Sequence, residues 1–130
     1  MRPVIYQIFT RLYGNKTKNN KPNGTLQENG SAKMNDITAT KLQRISRMGF
    51  THVWFTGLIE HATQTDHTAF GISKDHPAVV KGKAGSPYAI KDYYDIDPDL
   101  AVSVPDRMKE FKALLNRTHK AGLKMVIDFV

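Results

Sequence analysis

Three short runs of this chain are apolar or β-branched at successive positions rather than alternate ones: residues 3–9 (PVIYQIF), 51–58 (THVWFTGL) and 124–130 (KMVIDFV). Runs of that kind suit strands buried on both faces, which belong to parallel sheets covered by helices. Helical periodicity fills two of the intervals. Ile37, Leu42, Ile45 and Met48 make one apolar stripe and predict a helix over about 37–48, with Asn35, Asp36 or Thr38 as N-cap and Gly49 at C′. Pro105 at the first helical position, followed by Met108, Phe111, Leu114, Leu115 and Thr118, predicts a second helix over about 105–121 that Gly122 ends. Strand, helix, strand, helix, strand implies parallel strands joined by right-handed crossovers.

The connections are unequal. Residues 11–35 are dense in Asn, Gly, Lys and Thr, residues 59–103 form a second long loop, and Gly122-Leu123 is a minimal helix-to-strand turn. Long loops after strands and short ones after helices are what barrel enzymes show, because the loops at the C-terminal ends of the strands build the active site. Open doubly wound sheets share the asymmetry. A dinucleotide-binding sheet is disfavoured, since Thr10-Arg11-Leu12-Tyr13 stands where its glycine-rich turn would be. Three strands and two helices cannot cover a sheet on both faces, and a parallel barrel takes about 250 residues. The expected fold is therefore α/β: the N-terminal βαβαβ portion of a TIM (β/α)8 barrel, truncated in the third strand, with residues 1–130 as one partial domain.

The formal net charge is +7, but the lysines are spread over loops (Lys16, Lys18, Lys21, Lys81, Lys83) and helices rather than gathered on one face. That reads as a solvated basic surface, not a nucleic-acid footprint. No apolar run approaches the roughly 20 residues of a membrane span, so no membrane partner is expected. With no cysteine, disulfides and thiolate zinc sites are excluded. Met1-Arg2-Pro3 runs straight into the first strand without a signal-peptide layout. Localisation stays open between the cytoplasm and, if a leader has been removed, a secreted or periplasmic location.

Four segments, in order, carry a resemblance: Val4-Ile5-Tyr6-Gln7-Ile8-Phe9, residues 42–58 (LQRISRMGFTHVWFTGL), residues 85–100 (GSPYAIKDYYDIDPDL) and residues 107–130 (RMKEFKALLNRTHKAGLKMVIDFV). Together they resemble the early barrel of the α-amylase superfamily (glycoside hydrolase family 13), bacterial α-amylases in particular, which act on α-glucans. The resemblance implies that Tyr88 stacks on the sugar ring where the bond breaks, a task suited to a flat face with a polar tip. It also implies that Asp128, which interrupts an apolar strand and must be hydrogen-bonded, opens a motif whose closing Asn-His lies beyond Val130. His61, just past the second strand, is a candidate sugar contact.

Other clusters have plainer readings. Asp92, Asp95, Asp97 and Asp99 lack the glycine and glutamate of an EF-hand and read as loop and turn chemistry. His61, His67 and His76, with Asp66 and Asp75, match no zinc spacing. Asn15, Asn23 and Asn29 head glycosylation sequons of the kind that an Asn-rich loop produces by chance.

The resemblance implies a retaining hydrolase cleaving α-1,4-glucosidic bonds in starch-like glucans or maltooligosaccharides. Its two catalytic carboxyl groups and the third, stabilising Asp belong to later strands. No catalytic residue is therefore assigned among these 130, and the chain alone is expected to be inactive. Transglycosylases, sucrose- or trehalose-active isomerases and a non-catalytic barrel remnant are the rival readings. No cofactor is expected in this chain, whereas an intact enzyme can carry Ca2+. The open strand edges invite self-association.

Overall fold

The computed structural model describes residues 1–130 throughout. Three parallel strands, β1 (Ile5–Phe9), β2 (His52–Thr56) and β5 (Lys124–Ile127), lie side by side with β2 in the centre. The register sets Gln7 beside Trp54 and Trp54 beside Val126, so alternate residues of the three strands share a face. On one face Ile8, Val53 and Phe55 are buried with Leu42, Ile45 and Leu114 in the hydrophobic core. On the other, Gln7 donates to Thr56 Oγ1 at 2.9 Å and Trp54 Nε1 donates to Asp128 Oδ1 at 2.9 Å. The helical side is thus oily, while the opposite side mixes these polar groups with Ile5, Phe9 and Val126.

Two helices cover the oily face. In α2 (Ala39–Arg47) Thr38 is the N-cap, its hydroxyl accepting from Lys41 N at 3.3 Å. Ile37, Leu42 and Ile45 are buried as their spacing predicts, but Met48 is 61% exposed. The helix has already ended there: Met48 is its C-cap, and the chain turns away at Gly49 before the stripe comes round again. α3 (Arg107–Lys120) follows a 3₁₀ turn, Val104–Asp106, that takes Pro105. Leu114 and Thr118 are buried on its inner side, while Met108 stays at the surface. Arg117 ties α3 to the chain before α2, donating to the carbonyls of Ile37 (3.1 Å) and Met34 (3.0 Å). None of the helices is long and apolar enough to cross a membrane.

The long segments hold structure that periodicity does not announce. A short helix, α1 (Leu26–Asn29), sits in the first loop with a capping box between Thr25 and Glu28. The second segment contains a two-stranded antiparallel ribbon of β3 (Ile59–His61) and β4 (Ile90–Ile96). Its polar run Lys91-Asp92-Tyr93-Tyr94-Asp95 is strand, not the turn the sequence suggests. The ribbon leans on the core through Ile96 and leads, through a 3₁₀ turn at Pro98–Leu100, to buried Leu100.

Candidate functional site

Arg11 stands two residues beyond β1, and Gly57 directly beyond β2, so the chain here lies past the C-terminal ends of the parallel strands. Arg11 Nη1 donates to the carbonyl of Gly85 at 2.7 Å. Gly85 has φ +81° and rests so closely on the main chain of Ala62 that a Cβ would overlap the Ala62 carbonyl oxygen. One residue on, Ser86 Oγ accepts from Tyr88 N at 3.3 Å. The turn at residues 85–88 is thereby fastened from below and from within. Tyr88 itself is 47% exposed: its ring is offered outward from a fixed base.

His61 lies beneath that turn, not beside it. The sequence reading makes it a sugar contact, but the structure leaves it 2% exposed. Its Nδ1 donates to the Ile59 carbonyl at 3.3 Å, and Nε2 faces Asp97 Oδ2 at 3.4 Å. Burial lowers the His61 pKa and, with the charge of Asp99 close by, raises that of Asp97 well above its ordinary value. Both partners are driven toward their neutral forms. The contact is therefore weaker than an ion pair between two fully charged groups would be.

Its neighbour behaves oppositely. His67 Nε2 donates to Asp99 Oδ1 at 2.7 Å, and the hydroxyls of Thr63 and Thr65 donate to Oδ2 at 3.0 and 3.2 Å. Burial works to raise the Asp99 pKa, yet these donors, His67 foremost, hold it below the ordinary value. Asp97 does initiate the turn, as Asp97-Pro98 suggests, its Oδ1 accepting from Asp99 N at 3.0 Å, and with Asp99 it is also an inward-facing support of the loops. Only a side-by-side view of residues some 36 apart in sequence, such as Thr63 and Asp99, reveals them. Arg11, whose importance no motif signals, sits between them and Gly85, and burial lowers its pKa against the pull of both carboxylates.

Asp128 accepts from Trp54 as described, and its Oδ2 is buried without a partner. His76, Asp66 and Asp75 do not converge. His76 Nδ1 accepts from Ala78 N, Asp66 pairs with Thr68 and Lys74, and Asp75 accepts from Thr63 N. The Asn-rich loop closes over a polar cavity of about 240 Å³ bordered by Arg11, Asn15, Asn29, Lys83, Asp97 and Asp99. Asn15 and Asn29 spend their amides on the loop's own main chain, donating to the carbonyls of Asn29 and Lys21.

The family model of the α-amylase catalytic domain matches residues 7–130. The chain belongs to the α-amylase family. Among solved structures, an α-amylase from Lactobacillus plantarum is similar at 27% identity and a TM-score of 0.59, over 98% of this chain and 22% of its own. Trehalose-6-phosphate hydrolase from Bacillus licheniformis is similar at 25% identity and a TM-score of 0.56, over 98% of this chain and 17% of its own. An α-amylase from Geobacillus thermoleovorans complexed with acarbose, at 22% identity and a TM-score of 0.59, shares the fold. No curated protein matches. The chain spans about a fifth of the length of these amylases, and its parallel strands correspond to one part of their barrel.

Proposed function

We propose that this α-amylase-family chain supplies the early strands and a sugar-stacking wall to a retaining hydrolase of α-1,4-linked glucans. The observation that carries the reading is Tyr88, exposed on a turn that Arg11 and Gly85 hold in place past the strand ends. A turn fixed in advance loses little freedom when a pyranose settles on the Tyr88 ring, so more of the contact goes into affinity. His61 serves from behind, as part of the floor under that turn. Asp128 orients by hydrogen bonding: Trp54 holds one oxygen, and the other is free to take a donor from the sugar or from a neighbouring strand.

Retaining hydrolysis needs two carboxyl groups about 5–5.5 Å apart, one a nucleophile and one an acid. Asp97 and Asp99 are buried and engaged with His61, His67 and the threonines, and Asp128 is engaged with Trp54. The chain by itself is therefore proposed to bind and not to cleave. The Asn-His that the resemblance assigns to calcium contact is not among these residues, and no step here runs through calcium. Similarity to a trehalose-6-phosphate hydrolase supports a second reading, a trehalose-active or transferring enzyme of the same family. Products formed by the intact barrel from maltotriose with and without an acceptor sugar separate the two.

The binding part is tested on the chain as it stands. Maltotriose titrated against it by NMR should shift Tyr88 ring resonances. Tyr88→Ala should weaken binding by ~0.5–1.5 kcal/mol, roughly two- to thirteen-fold, with unchanged unfolding. Equal affinity in the variant would remove Tyr88 from the site. Turnover of maltooligosaccharide by the purified chain would overturn the division of labour.

A further inference from the structure

We propose that Asn23 is a site of spontaneous deamidation, and that the fold shelters the chain's other Asn-Gly pair from the same reaction. The loop after β1 holds both pairs, Asn23-Gly24 and Asn29-Gly30. In each, the glycine has no side chain to shield its nitrogen from the amide before it, so the sequence ranks them equal. The structure separates them. Asn23 is exposed and its amide is held by no other group. It is also the one non-glycine residue in the left-handed region, at φ +55°. It follows Pro22 in a turn that Gly24 N closes on the Lys21 carbonyl at 2.9 Å.

Asn29 is half-buried, and Lys21 holds both ends of its amide. Nδ2 donates to the Lys21 carbonyl and Oδ1 accepts from Lys21 N, each at 2.9 Å. Gly30 N is itself bonded to the Leu26 carbonyl at 2.8 Å. The same packing fixes the identity of residue 24, because a Cβ on Gly24 would stand 2.4 Å from Asn29 Nδ2. What protects Asn29 therefore keeps a glycine beside Asn23. The reaction needs only water. Gly24 N loses its proton and attacks Asn23 Cγ; the N–Cγ bond forms, the Cγ–Nδ2 bond breaks, and ammonia leaves with the proton. Water then opens the succinimide at either carbonyl, giving aspartate or, with one more main-chain carbon, isoaspartate. Either product lowers the formal net charge of +7 by one. Asn23 Oδ1 lies 3.9 Å from where a Cβ on Gly82 would be, so the new carboxylate arises beside the chain of Lys81 and Lys83. Isoaspartate lengthens the main chain next to Gly24, on the border of the polar cavity.

The test incubates the full chain in mildly alkaline buffer, folded and in urea. Tryptic peptide 19–33 carries both pairs; tandem mass spectrometry follows each conversion, and ion exchange follows the lost charge. In the folded chain Asn23 should convert faster than Asn29 on the order of tenfold or more, since the two hydrogen bonds on the Asn29 side chain must open first. In urea the two rates should converge. Asn23→Asp should carry the product charge from the start and show no fast phase of ammonia release. Equal rates in the folded chain, or a faster Asn29, would overturn the proposal. So would an Asn23 that stays intact in the folded chain, whatever happens in urea. A preference for Asn23 that persists undiminished in urea would belong to the sequence and refute the sheltering of Asn29 by the fold.

Discussion

The turn under Tyr88 makes a demanding prediction, because two glycines of similar backbone conformation should respond differently to the same methyl group. Gly71, φ +78°, has nothing within 4 Å of where a Cβ would be, whereas Gly85, φ +81°, meets the Ala62 carbonyl. Alanine in the left-handed region costs about 1–2 kcal/mol wherever it is placed. That is the whole expected cost of Gly71→Ala. At Gly85 the methyl must push main chain aside, and the Gly85 carbonyl then leaves Arg11, 2.7 Å away. A hydrogen bond to a charged group is worth about 1.5–3 kcal/mol, so Gly85→Ala should cost roughly 2.5–5 kcal/mol. Urea unfolding followed by emission of Trp54, the single tryptophan, measures both. With a slope of about 1–3 kcal/mol per molar urea, the Gly85 midpoint should fall at least ~0.5 M below that of Gly71→Ala. If the two variants unfold together, the Ala62 collision and the Arg11 clamp do not hold this turn, and the reasoning behind a pre-set Tyr88 fails with them.

Two further predictions concern burial and charge. Asp97→Asn mimics the protonated acid; because the folded-state pKa is raised above 3.8, the parent is favoured at low pH and loses stability as pH climbs toward the raised value. Over that interval the variant should gain about 1.4 kcal/mol per pH unit relative to the parent, read from unfolding at several pH values; a constant difference would mean Asp97 is ionised in the fold. Phe55, fully buried on β2 beneath both helices, should cost about 3–5 kcal/mol when replaced by alanine, and a loss under ~1 kcal/mol in denaturant unfolding would move the core elsewhere.

The βαβαβ order was legible because Ile8, Val53 and Phe55 sit in unbroken apolar runs and because Leu42, Ile45 and Leu114 repeat at helical spacing. Those signals are local and need no knowledge of what lies across the fold. The site was less legible. Tyr88 could be singled out only through resemblance, and its fixation by Arg11 joins residues 74 apart, a separation no periodicity encodes. The burial of His61 was not legible, because a histidine shows its type but not its cover. The structure covers it with Asp97, which initiates a turn and faces inward at once. The ribbon was missed for the same reason: β3 has three residues, and its partner lies about thirty positions away.

The Asn-rich loop after β1 has a property that matters for descent as well as for structure. Its short helix buries no residue, and its polar stitching, Asn15 to Asn29, Asn19 to Glu28 and Lys21 to Glu28 and Asn29, closes within the loop itself. Between Asn15 and Asn29 none of it is buried in the core, although Ala32 and Met34 at its end are. Such a segment can be lengthened, shortened or rewritten while the strands keep their register. Relatives built on one barrel can therefore remodel this border of the strand ends one insertion at a time, without refounding the fold beneath it.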